Sequence, residues 1–165
     1  MKKTSVILAI LALGLIFTQD VFAQSAQGVT LTVNQIALLS VPAGPISLNI
    51  TTGTPGQDAL TPVNGTSTYS WTHNHALNAK ITAKLTTALP TGYSLTVTTT
   101  PNASKGTGVT DQTLADGAVH DVVTALTKGF DLNAGISYTF GANASADALT
   151  AGQSGNTVTY TIVAP

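Results

Sequence analysis

The feature that most constrains this chain is a side-chain alternation of period two, repeated in short runs and punctuated by turn residues. In Thr157-Val158-Thr159-Tyr160-Thr161-Ile162-Val163 the residues between the threonines are all apolar or aromatic. Successive side chains of a strand point to opposite faces, so such a run buries Val158, Tyr160 and Ile162 and solvates the threonines. The same logic reads strands at Val29-Leu31-Val33, Ile46-Leu48-Ile50, Tyr69-Trp71, Ala79-Ile81-Ala83-Leu85 and Ile136-Tyr138-Phe140. Residues 118–126 fit a strand or a single helical turn, and 144–151 fit a short helix bounded by Gly141 and Gly152. Ile36, Leu38 and Leu39 follow the first run out of phase after Asn34-Gln35, which points to a bulge or bend. Pro90-Thr91-Gly92 predicts a turn pairing 79–87 with Tyr93 to Thr99 as a hairpin. Residues 51–66 and 100–117, dense in Gly, Pro, Asn, Asp and Ser, read as connections. About seven or eight short strands separated by turn signals predict an all-β, antiparallel, immunoglobulin-like β-sandwich.

Composition narrows the chemistry. The 165 residues include 29 threonines but no Cys, no Glu and no Arg. Disulfides, thiolate nucleophiles and zinc–thiolate sites are thereby excluded, and packing alone must hold the fold. Residues 1–23 read as a cleaved secretory signal. Lys2 and Lys3 precede the uncharged stretch Val6 to Phe17, and Val21-Phe22-Ala23 fits a signal-peptidase site. That stretch is short for a bilayer span, so a retained membrane helix is not expected. The remaining 24–165 is read as one domain, secreted or at the cell surface, with residues 24–33 as an N-terminal extension. It carries four Lys and six Asp, a formal net charge of −2, and so cannot build the basic face of a nucleic-acid binder.

The residues that carry chemistry are few. His73 and His75 would project to one face of an extended segment, a weak metal-ligand pair for which His120-Asp121 is the obvious third contributor. The competing reading is two polar residues at a loop mouth after Trp71. Gly152-Gln153-Ser154-Gly155 is half of a nucleophile elbow, but Asn156 breaks the motif. The aspartates lie beside Gly, Asn or Ala and read as turn residues, with calcium ligation by Asp111 and Asp116 lacking any loop motif. Gly106-Thr107-Gly108 is not followed by a helix and makes no phosphate cradle. Asn49, Asn64, Asn102 and Asn143 stand in glycosylation sequons that a chain so rich in Asn, Ser and Thr contains by chance. Trp71 reads as core, and Lys80 and Lys84 as guards of a sheet edge. No convergent acid–base set is visible, so no catalytic residue and no cofactor is expected, and the chain reads as a non-enzyme.

The N-terminus of 24–165 is the informative element. Small and polar residues 24–28 lead into Val29-Thr30-Leu31-Thr32-Val33. Ten residues of strand reach roughly 33 Å, and burying each aliphatic side chain contributes about 1.5–3 kcal/mol before ordering costs. Such a segment suits addition to a neighbour's sheet.

With its Thr-rich alternating start, the apolar stretch Ile36 to Val41, the strand Lys80 to Leu85 and the closing strand Thr157 to Val163 with Tyr160, the chain resembles pilin-like secreted β-sandwiches. It is most similar to the major subunits of cysteine-free chaperone–usher fimbriae. The resemblance implies a fibre subunit whose N-terminal extension completes a neighbour's sandwich. It makes Val29, Leu31 and Val33 donor positions, and Val158, Tyr160 and Ile162 the acceptor edge. It also implies partners in other copies or related subunits and in a periplasmic chaperone. Tyr160 stands five residues before Pro165, whereas the commoner fimbrial pattern has it next to last. The alternative from another class is a monomeric secreted binding module, for carbohydrate, using loops 51–66 or 100–117.

Overall fold

In the computed structural model, residues 27–146 and 155–165 are described. The chain divides into two units, residues 1–33 and 34–165. Of the first unit, residues 27–33 form no strand, and the alternating run leaves Val29, Leu31 and Val33 exposed at 72 %, 88 % and 86 %. The signal-peptide reading of 1–23 and the start of the extension lie outside the described residues, as does most of the helix candidate at 144–151.

The second unit is an antiparallel β-sandwich of nine strands, with no helix among the described residues. The strands are β1 (Ala37–Ser40), β2 (Val63–His73), β3 (Ala79–Leu85), β4 (Tyr93–Thr100), β5 (Thr107–Gly108), β6 (Gln112–Thr113), β7 (Val119–Leu126), β8 (Gly129–Ala142) and β9 (Val158–Val163). One sheet has the order β1-β2-β8-β4-β6 and the other β5-β7-β3-β9. Of the runs read as strands, 29–33 and 46–50 form none, while β1, in the stretch read as a bulge or bend, and β5 and β6, two residues each inside the supposed loop 100–117, bring the number among the described residues to nine. Two residues carry no legible alternation.

Alternation sets the core. Tyr69 and Trp71 of β2, Ala79, Ile81, Ala83 and Leu85 of β3, Leu95 and Val97 of β4, and Ala134, Ile136 and Tyr138 of β8 are all buried between the sheets. Every connection after β2 passes to the other sheet, and this overturns the predicted hairpin. β3 pairs with β7 and β9 while β4 pairs with β8 and β6, so the turn at 90–92 joins the two layers. Lys80 and Lys84 accordingly lie on a central strand rather than an edge, and Lys80 Nζ sits 2.9 Å from Asp121 Oδ1 on β7. The ambiguous pattern at 118–126 comes from a strand with irregular register. Val122 and Val123 are both buried and Ala125 takes φ 52°. Ile46-Leu48-Ile50 forms no strand, and β2 begins earlier than expected, at Val63.

The two sides of the sandwich differ. On one side the chain at 107–113 stitches the layers together. β5 pairs with β7, Val109 N–H donates to Val122 O (3.2 Å), Thr99 N–H donates to Val109 O (2.9 Å), and β6 pairs with β4. Gly108 is required there, since a Cβ at this position would collide with the Thr99 carbonyl and meet Pro101 Cδ at 2.7 Å. No such stitch joins β1 and β9 on the opposite side among the described residues.

Candidate functional site

The unstitched side holds a groove of about 730 Å³. Its walls come from β9 (Val158, Tyr160), from the segment after β1 (Val41, Pro42, Pro45, Ile46, Leu48), and from Leu39. Leu85, Leu95, Tyr138 and Phe140 contribute from the core, so the groove opens onto the apolar interior. No residue of 51–66 or 100–117 lines it.

Each wall follows from local sequence. Alternation on β9 turns Val158, Tyr160 and Ile162 inward, half-buried, and leaves Thr159, Thr161 and Val163 exposed. The opposite wall is chain that packs without pairing. Pro42 and Pro45 have no N–H to give a ladder, and Ile46 and Leu48 lie against the bare Cα of Gly65 on β2, where a Cβ would meet Leu48 Cδ2 at 2.9 Å. The alternation of Ile46 and Leu48 is thus met by packing, not by a strand. This wall and Tyr138 were missed by the sequence reading; the Pro-flanked apolar pair was the available signal.

A polar contact crosses the groove. The Tyr138 and Tyr160 hydroxyls are 2.7 Å apart, joining the two sheets across it. Burial pushes both phenols above their ordinary range, Tyr160 the further because Tyr138 also opposes its ionisation. Both side chains therefore stay neutral at ordinary pH.

The four sheet edges are unequal. β5 and β6 are two residues long, and β1 is four residues long and followed by Pro42. Short edges and prolines suppress pairing with foreign strands. β9 has six residues, no charge and no proline within it, pairs with β3 on one side, and has no ladder partner on the other among the described residues. The pairing-competent edge borders the groove at Val158 and Tyr160.

The remaining candidates do not converge. His73 is buried against Trp71, ring centroids 5.1 Å apart, with Nε2 3.1 Å from Leu126 O, and its ring lies 6.3 Å from that of His75. His120 is engaged elsewhere, 2.8 Å from Asp116 and 3.1 Å from the Gln112 amide. No group of three metal-ligating side chains occurs among the described residues. Trp71 is core, at 2 % exposure. Asp111 receives the Thr98 hydroxyl, and Gly106-Thr107-Gly108 belongs to the stitch. Gly152 to Ser154 lie outside the described residues. Sequence reading also missed Asp131. Its buried carboxylate receives Asn102 N–H (3.0 Å), Asn102 Nδ2 (2.6 Å) and Leu132 N–H (2.9 Å), a closed set that fixes the loop after β4. No helix among the described residues is long and apolar enough to cross a membrane.

No family model matches this chain, and no curated protein matches it.

Proposed function

We propose that this chain is a non-enzymatic structural subunit of a surface or extracellular fibre, and that copies join by β-strand addition. The acceptor is the free edge of β9, and the donor is the exposed run Val29-Thr30-Leu31-Thr32-Val33 of another copy. The observation that carries this reading is the pairing of a long, unblunted edge with an apolar groove on the one unstitched side of the sandwich.

Donor and acceptor have matching periods. One antiparallel register sets Val33 opposite Val158, Leu31 opposite Tyr160 and Val29 opposite Ile162, so six inward side chains share one face. Aliphatic side chains exposed in the free copy would then be removed from water in the joined one, which supplies the drive for assembly. The prolines opposite β9 leave the incoming strand one edge to pair with, which selects the binding mode. Export through the N-terminal signal places this assembly outside the cytoplasm, and a periplasmic chaperone offering its own strand would occupy the same edge.

Deleting residues 24–33 tests the reading. The shortened chain is expected to stay monomeric at concentrations where the full chain forms filaments visible by negative stain. A full chain that never polymerises, with a truncated monomer of equal thermal stability, refutes it.

A further inference from the structure

Strand addition to β9 fixes a direction along the sandwich. β9 runs from the end where β3 finishes, at Leu85, to the end where β3 begins, next to Lys80. Call the first the far end and the second the near end. A donor antiparallel to β9 runs from near to far, so its Val33 emerges at the acceptor's far end. The next residue, Asn34, belongs to the near end of the donor copy, where its carbonyl receives the Asn74 side-chain amide. Near end therefore meets far end.

These two ends are chemically unlike. At the near end lie the loops 74–78, 101–106 and 127–128, the last two joined by the Thr127 hydroxyl donating to Ser104 O (3.4 Å). This end exposes Leu77, Phe130 and Leu132 at 67 %, 63 % and 64 %. Leu38 and Phe130 flank Thr72 in register on the same outer face. Exposed apolar side chains gathered in this way mark an interaction surface. The near end also carries Lys105, whose Nζ lies 5.0 Å from the Phe130 ring centroid, and exposed Lys128. Asp131 at this end is buried and bonded to Asn102 and Leu132. The far end carries the exposed carboxylates of Asp58, beside Ala144 and Ser145, and Asp116, beside Ala118 and His120, together with one exposed lysine, Lys84, the last residue but one of β3.

We propose that the near end of one copy docks on the far end of the next in a heterologous contact separate from the strand ladder. Leu77, Phe130 and Leu132 form its apolar part, and Lys105 and Lys128 face Asp58 and Asp116. The occupant is a second copy of this chain, argued from the excess of lysine at the near end over carboxylate, the reverse excess at the far end, and the covalent continuity of Asn34 with the donor run. The contact rests on the strand-addition reading, which sets the polarity. Its role is orientation. Complementary charge steers encounter and rejects near-to-near docking, in which lysines would meet lysines.

Charge reversal with rescue tests it, read as the polymerisation rate of the full chain by light scattering at low salt. Lys105→Asp with Lys128→Asp, and separately Asp58→Lys with Asp116→Lys, are each expected to slow assembly about tenfold. The four substitutions together restore the wild-type rate to within about twofold, and half-molar salt erases the differences. Phe130→Ser with Leu132→Ser, exposed in the free copy, slows assembly without rescue by salt. Reversed and wild-type chains polymerising at equal rates at low salt, or a fourfold variant no faster than the doubles, overturns the end contact and leaves strand addition standing. A wild-type chain that never polymerises overturns both.

Discussion

Leu31→Ala isolates the energetics of strand addition, because Leu31 does different things in the free and joined states. In the free chain its side chain is 88 % exposed, so truncation leaves monomer stability within about 0.5 kcal/mol of wild type. In the proposed joined state the same side chain sits opposite Tyr160, in the groove. Truncation removes three carbons from burial, at about 0.8 kcal/mol each, or about 2.4 kcal/mol per link. That is roughly a 50-fold weakening of each subunit–subunit link. Sedimentation of a concentration series reads it directly, as a comparable rise in the concentration at which half the chain is in polymer. Val119→Ala, also an exposed aliphatic but on the outer face of β7, is the matched control and leaves that concentration unchanged. An unchanged midpoint for Leu31→Ala, or equal effects of the two substitutions, refutes the reasoning. A fall in monomer melting temperature for Leu31→Ala would show that the side chain already packs within its own chain.

Tyr160→Phe leaves the Tyr138 hydroxyl without its 2.7 Å partner and is expected to cost about 1–3 kcal/mol in urea unfolding of the monomer. Burial raises the phenols of Tyr69, Tyr138 and Tyr160 above their value of about 10 in unfolded chain. The folded state thus holds those protons more tightly, so their contribution is complete below about pH 10 and is lost as pH rises beyond it. Alkaline melting curves should fall there, and flat stability to pH 12 would contradict this. Gly108→Ala drives a Cβ into the Thr99 carbonyl and is expected to destabilise the stitched side by about 1–3 kcal/mol, read by thermal melting. Zinc at micromolar concentration should give no calorimetric heat that His73→Ala removes, since His73 is buried against Trp71 and its Nε2 faces Leu126 O.

Much of this fold was readable because alternation reports burial directly. β3 and β9 fall where their patterns put them, and Val158, Tyr160 and Ile162 face inward as expected. Alternation does not say which sheet a strand joins. Residues 79–87 and 93–99 look like a hairpin, yet the chain changes layer between them. Nor does it show places where burial is met without a ladder, as at Ile46 and Leu48, or where adjacent residues are both buried, as at Val122 and Val123. The β5–β6 stitch was illegible because its two-residue strands are held by backbone bonds that any side chain permits. Of the candidate site, the inward alternation of β9 was visible in the sequence, whereas an edge role for it came only as an implication of the fimbrial resemblance. The groove beside it follows from long-range pairing, which one sequence does not display.

The central claim, that the leading segment of one copy pairs with β9 of another, is most directly tested by disulfide trapping between copies. The chain contains no Cys, so an engineered pair reports without background. Residues facing each other in an antiparallel ladder stand at Cα separations of about 4.5–5.5 Å, within the span of a disulfide. Copies carrying Val33→Cys, mixed with copies carrying Val158→Cys and oxidised, should form a covalent heterodimer, whereas Val33→Cys mixed with Ile162→Cys should not. A chain carrying both Val33→Cys and Val158→Cys that instead closes the bond within itself at high dilution would place the first strand in its own sandwich and contradict the account.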